Sequence, residues 1–301
     1  MIHSYKELVS IIVPTFNRSN LIEATLHSLQ KQTYDSIEII VVDDHSTDNT
    51  SGIIERLSKE DNRIQYFKRP DSKPKGANAC RNFGLEISRG TYVKWIDSDD
   101  LLSADAIKIQ LEAIQREKAD LCFCKTSIFT DENKLVPFKD WGDVNKSATP
   151  TGFIIDGFRF HTCSGLWRKS YFGNTLPWDE AQMNSQEWLM HFQQLCKGVN
   201  IVKCDEYLSF ARYHNNNMSN RSNKKGKYYF NECNARTKAI SFAKQCDIKS
   251  PQLYHKLTKQ LFWYFMFVVY KGSPLLAFRL LPGLFINIPY LLPPLKSPAA
   301  A

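Results

Sequence analysis

Several features that would assign the chain to a particular protein class are missing from its 301 residues. The eight cysteines form no CxxC pair and follow no regular spacing, so we expect neither a zinc cluster nor a disulfide framework. Residues 1–7 contain no apolar segment typical of a secretory signal, and no internal repeat or low-complexity block is evident. These absences favour a cytosolic protein with reduced thiols, in which Cys122 and Cys124 face the core.

Long hydrophobic runs are also scarce. The most apolar stretch, residues 261–270, is ten residues long, whereas a helix that spans a bilayer needs about 20. Lys271 and Arg279 follow it, and four prolines lie between Pro282 and Pro294. The stretch is interpreted either as a buried core helix or, in preference, as an interfacial segment rich in Phe and Trp; a true membrane span is less favoured.

The positive charge is concentrated in the last third of the chain. From Glu206 onward there are 14 Lys and Arg against 3 Asp and Glu, whereas the preceding residues carry 25 against 28. Basic tails can contact nucleic acid or anionic lipid, but no nucleic-acid recognition motif accompanies this charge. The sequence therefore predicts an anionic membrane surface as a partner and no nucleic acid.

Strand-like and helix-like segments alternate through the first 130 residues. Because they are joined by short turns, they predict an α/β fold with a doubly wound, mainly parallel sheet and helices on both faces. Beyond this point the alternation weakens into a loop-rich stretch, then a helix over 186–196 and a strand over 199–202. Short β-branched or aromatic runs predict the earlier strands at 9–14, 37–42, 64–67, 91–96 and 120–129.

A dense acidic segment follows the strand over 91–96. Asp97, Asp99 and Asp100 are hard oxygen ligands of the kind that suit Mg²⁺ or Mn²⁺. The carboxyl ends of strands are where open α/β sheets bind ligands. The alternative interpretation is a solvated acidic turn or a cap for the helix that begins near Ser103.

Other polar groups are expected at the same edge of the sheet. Pro14 and Thr15 end the first strand, Asp43 and Asp44 end the second, and Arg81 lies near the start of a helix. An Asp pair can accept hydrogen bonds from a base or ribose, and an arginine can bind a diphosphate bidentately. With a divalent ion on the acidic segment, this set fits a nucleotide-diphosphate donor.

Four segments in order closely resemble the family 2 glycosyltransferases, whose fold is termed GT-A. They cover roughly the first 130 residues, and together they are highly specific. The resemblance implies an inverting enzyme that transfers a sugar from a nucleotide-sugar to an acceptor hydroxyl. The segments are VSIIVPTFN at 9–17, IIVVDDHSTD at 39–48, GANACRN at 76–82 and GTYVKWIDSDD at 90–100.

The resemblance also implies roles for individual residues. A loop after the first strand binds the nucleotide, an acid after the second reads the nucleobase, and the acidic segment contacts the ribose or sugar and the metal. A histidine late in the chain completes the metal or phosphate site. The implied donor-binding residues are Pro14, Thr15, Asn17, Asp43, Asp44, Arg81, Asp97 and Asp99, and the implied ligands of Mn²⁺ or Mg²⁺ are Asp100, Asp99 and His214.

The family also needs a carboxylate that deprotonates the acceptor, commonly in an acidic pair followed by an aromatic residue. Gln186-Glu187-Trp188 occupies that place, which makes Glu187 the candidate general base, although Gln stands where the first acid is often found. Asp179 and Glu180 are the reserve candidates. Residues 162–165 are interpreted as a loop near the acceptor rather than a nucleophile elbow, because no base for Cys163 is identifiable.

These interpretations combine into one expected organisation. Residues 1–220 would form the GT-A domain, with a nucleotide-sugar half at 1–130 and an acceptor half at 131–220, and 221–301 a basic, hydrophobic helical region. The expected donor is a UDP-sugar, and the acceptor a saccharide or lipid-linked saccharide in assembly of O-antigen, capsule or lipooligosaccharide. The protein would be cytoplasmic and peripheral on the inner face of the cytoplasmic membrane.

Two other function classes remain open from the sequence. One is a catalytically idle GT-A module that binds nucleotides and serves as an interaction subunit. The other is a nucleotidyltransferase, which would release pyrophosphate and typically use a first loop rich in Gly and Lys. Residues 14–19 lack such a composition.

Overall fold

The computed structural model describes residues 7–130, 139–213, 226–271 and 273–292. The described residues form two compact units. The sheet unit is drawn from Met1–Val144, Arg159–Ala181 and Val199–His214, and the helical unit from Asn145–Phe158, Gln182–Gly198 and Asn215–Ala301.

The sheet unit contains all the described strands and the first four helices. Its strands are β1 (Val9–Thr15), β2 (Ile37–Asp43), β3 (Ile64–Lys68), β4 (Tyr92–Trp95), β5 (Leu101–Leu102), β6 (Leu121–Phe129), β7 (Gly165–Arg168) and β8 (Ile201–Arg212). Its helices are α1 (Ile22–Gln30), α2 (Thr50–Glu60), α3 (Ala77–Ile87) and α4 (Ala106–Glu117). The helical unit contains α5 (Gln186–Cys196), α6 (Gly226–Gln245), α7 (Pro251–Tyr270) and α8 (Pro274–Asn287).

The eight strands form one sheet in the order β3-β2-β1-β4-β7-β6-β8-β5. The first four strands are parallel, whereas β7 is antiparallel to both of its neighbours, β8 is parallel to β6, and β5 is antiparallel to β8. The predicted α/β fold is confirmed. The sheet is fully parallel only among β3, β2, β1 and β4, which are connected through single helices, and it is mixed in the other half. In β1 and β2, Thr15 pairs with Asp43, so both strands end at the same level.

Close packing on both faces of the sheet explains why the β-branched runs became strands. β1 and β2 are buried along their whole length. On one face α3 approaches β1 so closely that a Cβ on Gly84 would lie 2.4 Å from Ile12 Cγ2, which leaves no room for a larger residue. Cys122 and Cys124 lie in the core as the sequence predicted.

The structure departs from the sequence-based expectation late in the chain. The strand predicted over 199–202 overlaps only the first two residues of β8, which begins at Ile201 and continues to Arg212. Neither β5 nor β7 was predicted. α8 contains Pro282, whose ring signals a break in most helices. Among the described helices, the stretch Pro274–Leu291 is long and apolar enough to cross a membrane, and 22% of it is buried.

Candidate active site

Two loops at the carboxyl edge of β1 and β2 are linked to each other. The amide of Asp44 donates to the carbonyl oxygen of Thr15 at 2.8 Å. Asn17 adopts a left-handed conformation with φ of 51°. Its amide donates to Ser46 Oγ at 2.8 Å, and its Oδ1 accepts from the amide of Thr47 at 2.8 Å. The implied nucleotide-binding loop is therefore held in place by the loop that follows β2.

Asp43 is buried and shapes that second loop. Its Oδ1 accepts from the amide and the hydroxyl of Ser46 at 2.9 and 2.6 Å, and its Oδ2 accepts from Tyr66 Oη at 2.8 Å. Burial and the carboxylate of Asp43 together raise the pKa of Tyr66. Both oxygens of Asp43 thus bind protein groups, and a contact between Asp43 and a donor stays a prediction.

Asp44 lies in a buried ion pair that sequence analysis did not anticipate. Arg69 Nε is 2.5 Å from Asp44 Oδ1, and the two side chains are only 8% and 7% exposed. The same guanidinium donates to the carbonyl oxygens of Pro70 and Lys73, both within 2.8 Å. Arg69 therefore fixes the orientation of the acid that the family resemblance assigns to the nucleobase.

Replacing Arg69 by Met is expected to lower the free energy of unfolding by about 3–5 kcal/mol, because Asp44 would keep its buried charge without a partner. Urea unfolding followed by circular dichroism measures this change. The matched control is Arg116→Met, which removes an exposed pair with Glu117 and should cost no more than about 1 kcal/mol. Equal losses in the two variants would contradict the structural role of the Arg69 pair.

Arg81 reaches from α3 to the acidic segment. Its Nη2 donates to Asp97 Oδ1 at 2.7 Å, its Nη1 donates to Asn78 Oδ1 at 2.9 Å, and its guanidinium lies 4.4 Å from the ring centre of Trp178. Burial opposes the charge on Asp97, but the nearby Arg81 and His161 outweigh it and lower the pKa of that carboxyl. The predicted proximity of Arg81 and the acidic segment is observed.

The other two acids of the segment differ in their surroundings. Asp99 Oδ2 lies 3.9 Å from Arg18 Nε, and its side chain is 19% exposed. Asp100 is buried; its Oδ1 accepts from the amide of Arg212 at 3.0 Å. Asp100 Oδ2 is also buried and accepts no hydrogen bond from any described residue. A buried carboxylate oxygen without a hydrogen-bond donor is costly, and a bound cation would offset that cost.

His161 and Cys163 place two further potential metal-ligand atoms near this oxygen. His161 Nδ1 lies 3.6 Å from Asp100 Oδ2 and 2.9 Å from Cys163 Sγ. The three potential ligand atoms lie within 4.8 Å of one another; Asp100 and Cys163 are buried, and the side chain of His161 is 12% exposed. Burial raises the pKa of the Cys163 thiol well above its usual value, and a soft thiolate is not a ligand that Mg²⁺ or Mn²⁺ prefers.

The donor set therefore fits a divalent cation held by Asp100 and His161. Burial, and then the neighbouring carboxylates, raise the pKa of Asp100 to about 8, which shows how strongly the site disfavours an isolated negative charge. A divalent cation would reverse that preference. One carboxylate oxygen and one imidazole nitrogen suit Mn²⁺ better than Mg²⁺, which favours oxygen ligands. His214 lies outside the described residues.

Comparisons with known proteins identify the family of the chain. The model of the family described as "Glycosyl transferase family 2" matches residues 10–172, more than half of the chain. The chain belongs to glycosyl transferase family 2. The match runs from the second residue of β1 to the end of β7 and beyond, and it includes the acidic segment, Arg81 and His161, whereas Glu187, Arg212 and His214 lie outside it.

Two curated bacterial relatives of this family 2 chain have named activities. A Campylobacter jejuni GalNAc(5)-diNAcBac-PP-undecaprenol beta-1,3-glucosyltransferase is 40% identical over 104 residues, which are 35% of this chain and 33% of the relative. The Escherichia coli UDP-Glc:alpha-D-GlcNAc-diphosphoundecaprenol beta-1,3-glucosyltransferase WfaP is 42% identical over 112 residues, 37% of this chain and 43% of the relative. The matches thus span less than half of either relative.

A solved structure supports the fold over a longer range. S. aureus TarS 1-349 in complex with UDP superposes with a TM-score of 0.64 at 19% identity, and the alignment covers 94% of this chain and 81% of that one. The GT-A type of fold predicted from the four segments is therefore confirmed for this family 2 chain.

The candidate base lies in the helical unit. Glu187 is in the first turn of α5 and is partly exposed. The start of α5 is anchored to α6, because Ser185 Oγ donates to Glu232 Oε2 at 2.8 Å and Arg236 Nη1 donates to the same carboxylate at 2.7 Å. Arg236 also lies 4.1 Å from the ring centre of Trp188. Glu187, which precedes Trp188 in the sequence, therefore lies at the start of a helix that these contacts hold in place.

Gln186 stands at the position where the family often has an acid, and its side chain has a structural role. Its Nε2 donates to the carbonyl oxygen of Gln182 at 3.1 Å and to that of Met183 at 3.3 Å, so the amide supports the preceding loop. A carboxylate cannot donate these bonds.

The two reserve candidates belong to the sheet unit and are engaged there. Glu180 Oε1 accepts from Asn82 Nδ2 at 2.9 Å and lies 3.5 Å from Lys73 Nζ. Asp179 Oδ1 accepts from the amide of Ala181 at 3.0 Å. These contacts favour structural roles for both acids.

Proposed function

We propose that this chain is an inverting glycosyltransferase that uses a nucleotide-diphosphate sugar, specifically a UDP-sugar, as donor and a hydroxyl as acceptor. The observation that carries the proposal is the buried Asp100 oxygen, which accepts no hydrogen bond within the described part of the chain and faces His161 beside the Arg81–Asp97 pair. Such a site binds a cation and the diphosphate that accompanies it.

On the donor side, each residue acts on a different part of the nucleotide-sugar. Asp44, oriented by Arg69, accepts hydrogen bonds from the base. Asp99 accepts from ribose or sugar hydroxyls, and Arg81 provides positive charge near the diphosphate. A divalent ion held by Asp100 and His161 would neutralise the negative charge that develops on the leaving diphosphate.

On the acceptor side, Glu187 takes the proton from the attacking hydroxyl. A carboxylate within hydrogen-bond reach of that hydroxyl contributes typically 10²–10⁴-fold to the rate. Attack on the anomeric carbon comes from the face opposite the diphosphate, so the new glycosidic bond forms with inverted configuration. The proton of the acceptor hydroxyl is transferred to Glu187. The diphosphate leaves with the electron pair of the bond that joined it to the anomeric carbon.

We further propose that the acceptor is a lipid-linked saccharide in the assembly of a cell-surface polysaccharide. Both named relatives act on undecaprenol-linked saccharides according to their names, and one uses UDP-Glc. An acceptor of this kind places the reaction at the inner face of the cytoplasmic membrane, where the protein would be peripheral.

The first experiment measures thermal stability against a panel of nucleotide diphosphates and nucleotide-sugars, each with and without Mn²⁺. A ligand present at about 100 times its Kd stabilises the folded state by about 2.7 kcal/mol. A metal-dependent shift with uridine nucleotides alone is the expected result. A folded sample that responds to none of them would contradict the proposal, whereas a response to nucleotides without any sugar transfer would support the idle-module alternative.

Replacing His161 by Ala is expected to raise the Mn²⁺ concentration that half-saturates UDP binding by about 10- to 100-fold, because a nitrogen ligand or its orienting group is lost. Isothermal titration with UDP at several Mn²⁺ concentrations measures the change. Cys163→Ala is the matched control in the same buried cluster and should leave this concentration within about twofold. An unchanged value for His161→Ala would remove His161 from the site.

A further inference from the structure

The outer surface of α7 changes character along its length. Positions 256, 259, 263, 266 and 270 recur at intervals of three and four, so they share one face of the helix. All five are exposed. The first two are Lys256 and Lys259, and the last three are Trp263, Met266 and Tyr270. One exposed face is therefore cationic in its first half and apolar in its second.

α8 packs against α7 and also exposes large apolar side chains along its length. The helix is about 21 Å long at 1.5 Å per residue. One side is buried, at Ala277, Leu280, Leu284 and Asn287. The other side exposes large apolar residues, with 71% of Phe278 and 61% of Phe285 accessible to solvent. The apolar face, as defined here, consists of Phe262, Trp263, Met266, Val269, Tyr270, Leu275, Phe278, Phe285, Ile286, Ile288 and Leu292.

This apolar face is unusual within the molecule. Eleven of the sixteen large hydrophobic side chains that are exposed in the described ranges belong to it. Scattered exposed hydrophobics are ordinary, but so many of them on two helices that contact each other mark an interaction surface. The composition of the apolar face favours a membrane as the partner, because Trp, Tyr and Phe beside Lys and Arg are typical of helices that lie in the headgroup region.

The surrounding charge favours an anionic lipid surface over a protein. Between residues 226 and 292 there are nine Lys and Arg and two Asp and Glu. Lys256, Lys259, Lys271 and Arg279 are exposed beside the apolar face. Lysine is depleted at protein interfaces, whereas a juxtamembrane lysine strengthens binding to anionic lipid.

Polar contacts on the inner side of α8 show how the helix would meet the bilayer. Asn287 is 3% exposed; its Oδ1 accepts from Lys244 Nζ at 3.3 Å. The carbonyl oxygen of Tyr290 lies 3.0 Å from His255 Nδ1. A transmembrane orientation of α8 would either break these contacts or carry Lys244 and His255 into hydrocarbon, and both are costly. A helix that lies flat on the lipid keeps them.

We propose that the apolar face of α7 and α8 inserts into the boundary between headgroups and acyl chains of an anionic phospholipid bilayer, with α8 parallel to the membrane plane. This inference deepens the proposed function by naming the surface that would hold the protein near a lipid-linked acceptor. The lipid interaction itself needs no donor or acceptor.

The test is flotation of the full chain with vesicles of phosphatidylcholine alone or mixed with phosphatidylglycerol. We expect the protein to float with the mixed vesicles and to stay largely unbound with the neutral ones. The double variant F278E/F285E should bind at least 100-fold more weakly, since each buried phenylalanine contributes a factor of about ten or more. Leu176→Glu, which alters an exposed apolar residue of the sheet unit, is the matched control and should bind normally.

A second variant and a depth measurement complete the test. K256Q/K259Q keeps the apolar face and should weaken binding to the mixed vesicles by about fivefold per lysine. Quenching of Trp263 by lipids brominated near the headgroup should exceed quenching by lipids brominated near the chain end, with Trp263→Phe providing the background. Deep quenching would place α7 in the hydrocarbon core rather than at the headgroups. Either this result or equal flotation of wild type and F278E/F285E would overturn the proposal.

Two further outcomes separate this inference from the proposed function. If the wild type does not float but forms a dimer that F278E/F285E abolishes, a second copy covers the apolar face and the membrane proposal is wrong. UDP binding in solution, measured on the same samples, reports the donor site independently. Retained UDP binding without flotation would overturn only the membrane surface, and flotation without UDP binding would overturn only the proposed enzyme.

Discussion

Asp100→Asn is expected to reduce the rate of sugar transfer by about 10³-fold or more, while the protein stays folded. The amide has the shape of the carboxylate but no charge, so the cation would lose its main ligand and the leaving diphosphate its neutralising charge. Several kcal/mol of transition-state stabilisation are at stake, and about 1.4 kcal/mol corresponds to a factor of ten in rate. Release of UDP in the presence of acceptor and Mn²⁺ measures the loss.

The control for this variant is Asp205→Asn, the same chemical change at a side chain that is 72% exposed on β8. Its turnover should stay within about twofold of the wild type. Thermal melts without ligand should show Asp100→Asn at least as stable as the parent, because burial disfavours the charge that the substitution removes. Full activity of Asp100→Asn would refute a role for this oxygen in catalysis.

Glu187→Gln is expected to lower transfer by about 10²–10⁴-fold and to leave the Kd for UDP unchanged. The amide occupies the same volume at the start of α5 but cannot accept the proton of the acceptor hydroxyl. Titration with UDP and a transfer assay on the same preparation separate donor binding from chemistry. A parallel loss of donor affinity would mean that Glu187 supports the donor site rather than acting as a base.

The matched control for the base is Glu180→Gln. Its carboxylate contacts Asn82 and Lys73, so the substitution should affect stability more than transfer. If Glu180→Gln instead abolished transfer and Glu187→Gln did not, the base would have to be reassigned to Glu180.

The first half of the fold could be predicted because its information is local. β1, β2, β3 and β4 are separated by single helices, and each is an apolar run with an evident end. The second half depends on pairings between distant segments. β5 has only two residues and is a strand because Leu101 pairs with Phe210, which no local pattern of two leucines can indicate.

The same distinction explains which parts of the candidate site were predictable. Asp43, Asp44 and the acidic segment directly follow predicted strands, so their meeting at one edge follows from parallel topology. His161 reaches Asp100 only because β7 inserts between β4 and β6, and the one local hint was the adjoining loop at 162–165. The partner of Asp44, Arg69, follows the short β3 and carried no recognisable signal.

The C-terminal helices show a different limit. Pro282 and the prolines after it suggested that no helix continues through this part of the chain, yet Pro282 lies inside α8. Helix packing against α6 and α7 outweighs the local preference, as tertiary contacts often do. The amphipathic character of α7 and α8 was visible only when the buried side was known.

The contacts of Arg212 have a consequence for biosynthesis. Its amide holds Asp100 Oδ1 and its guanidinium holds the carbonyl oxygen of Asp99, although 112 residues separate Arg212 from Asp100. Translation at about 5–20 residues per second delivers that segment on the order of ten seconds after the acidic one. Even a nascent chain that has paired β1 to β4 therefore lacks both of these contacts to the acidic segment until more than two thirds of the protein has been synthesised. Premature termination products that end before Arg212 would consequently lack the contacts that position the proposed metal ligand Asp100.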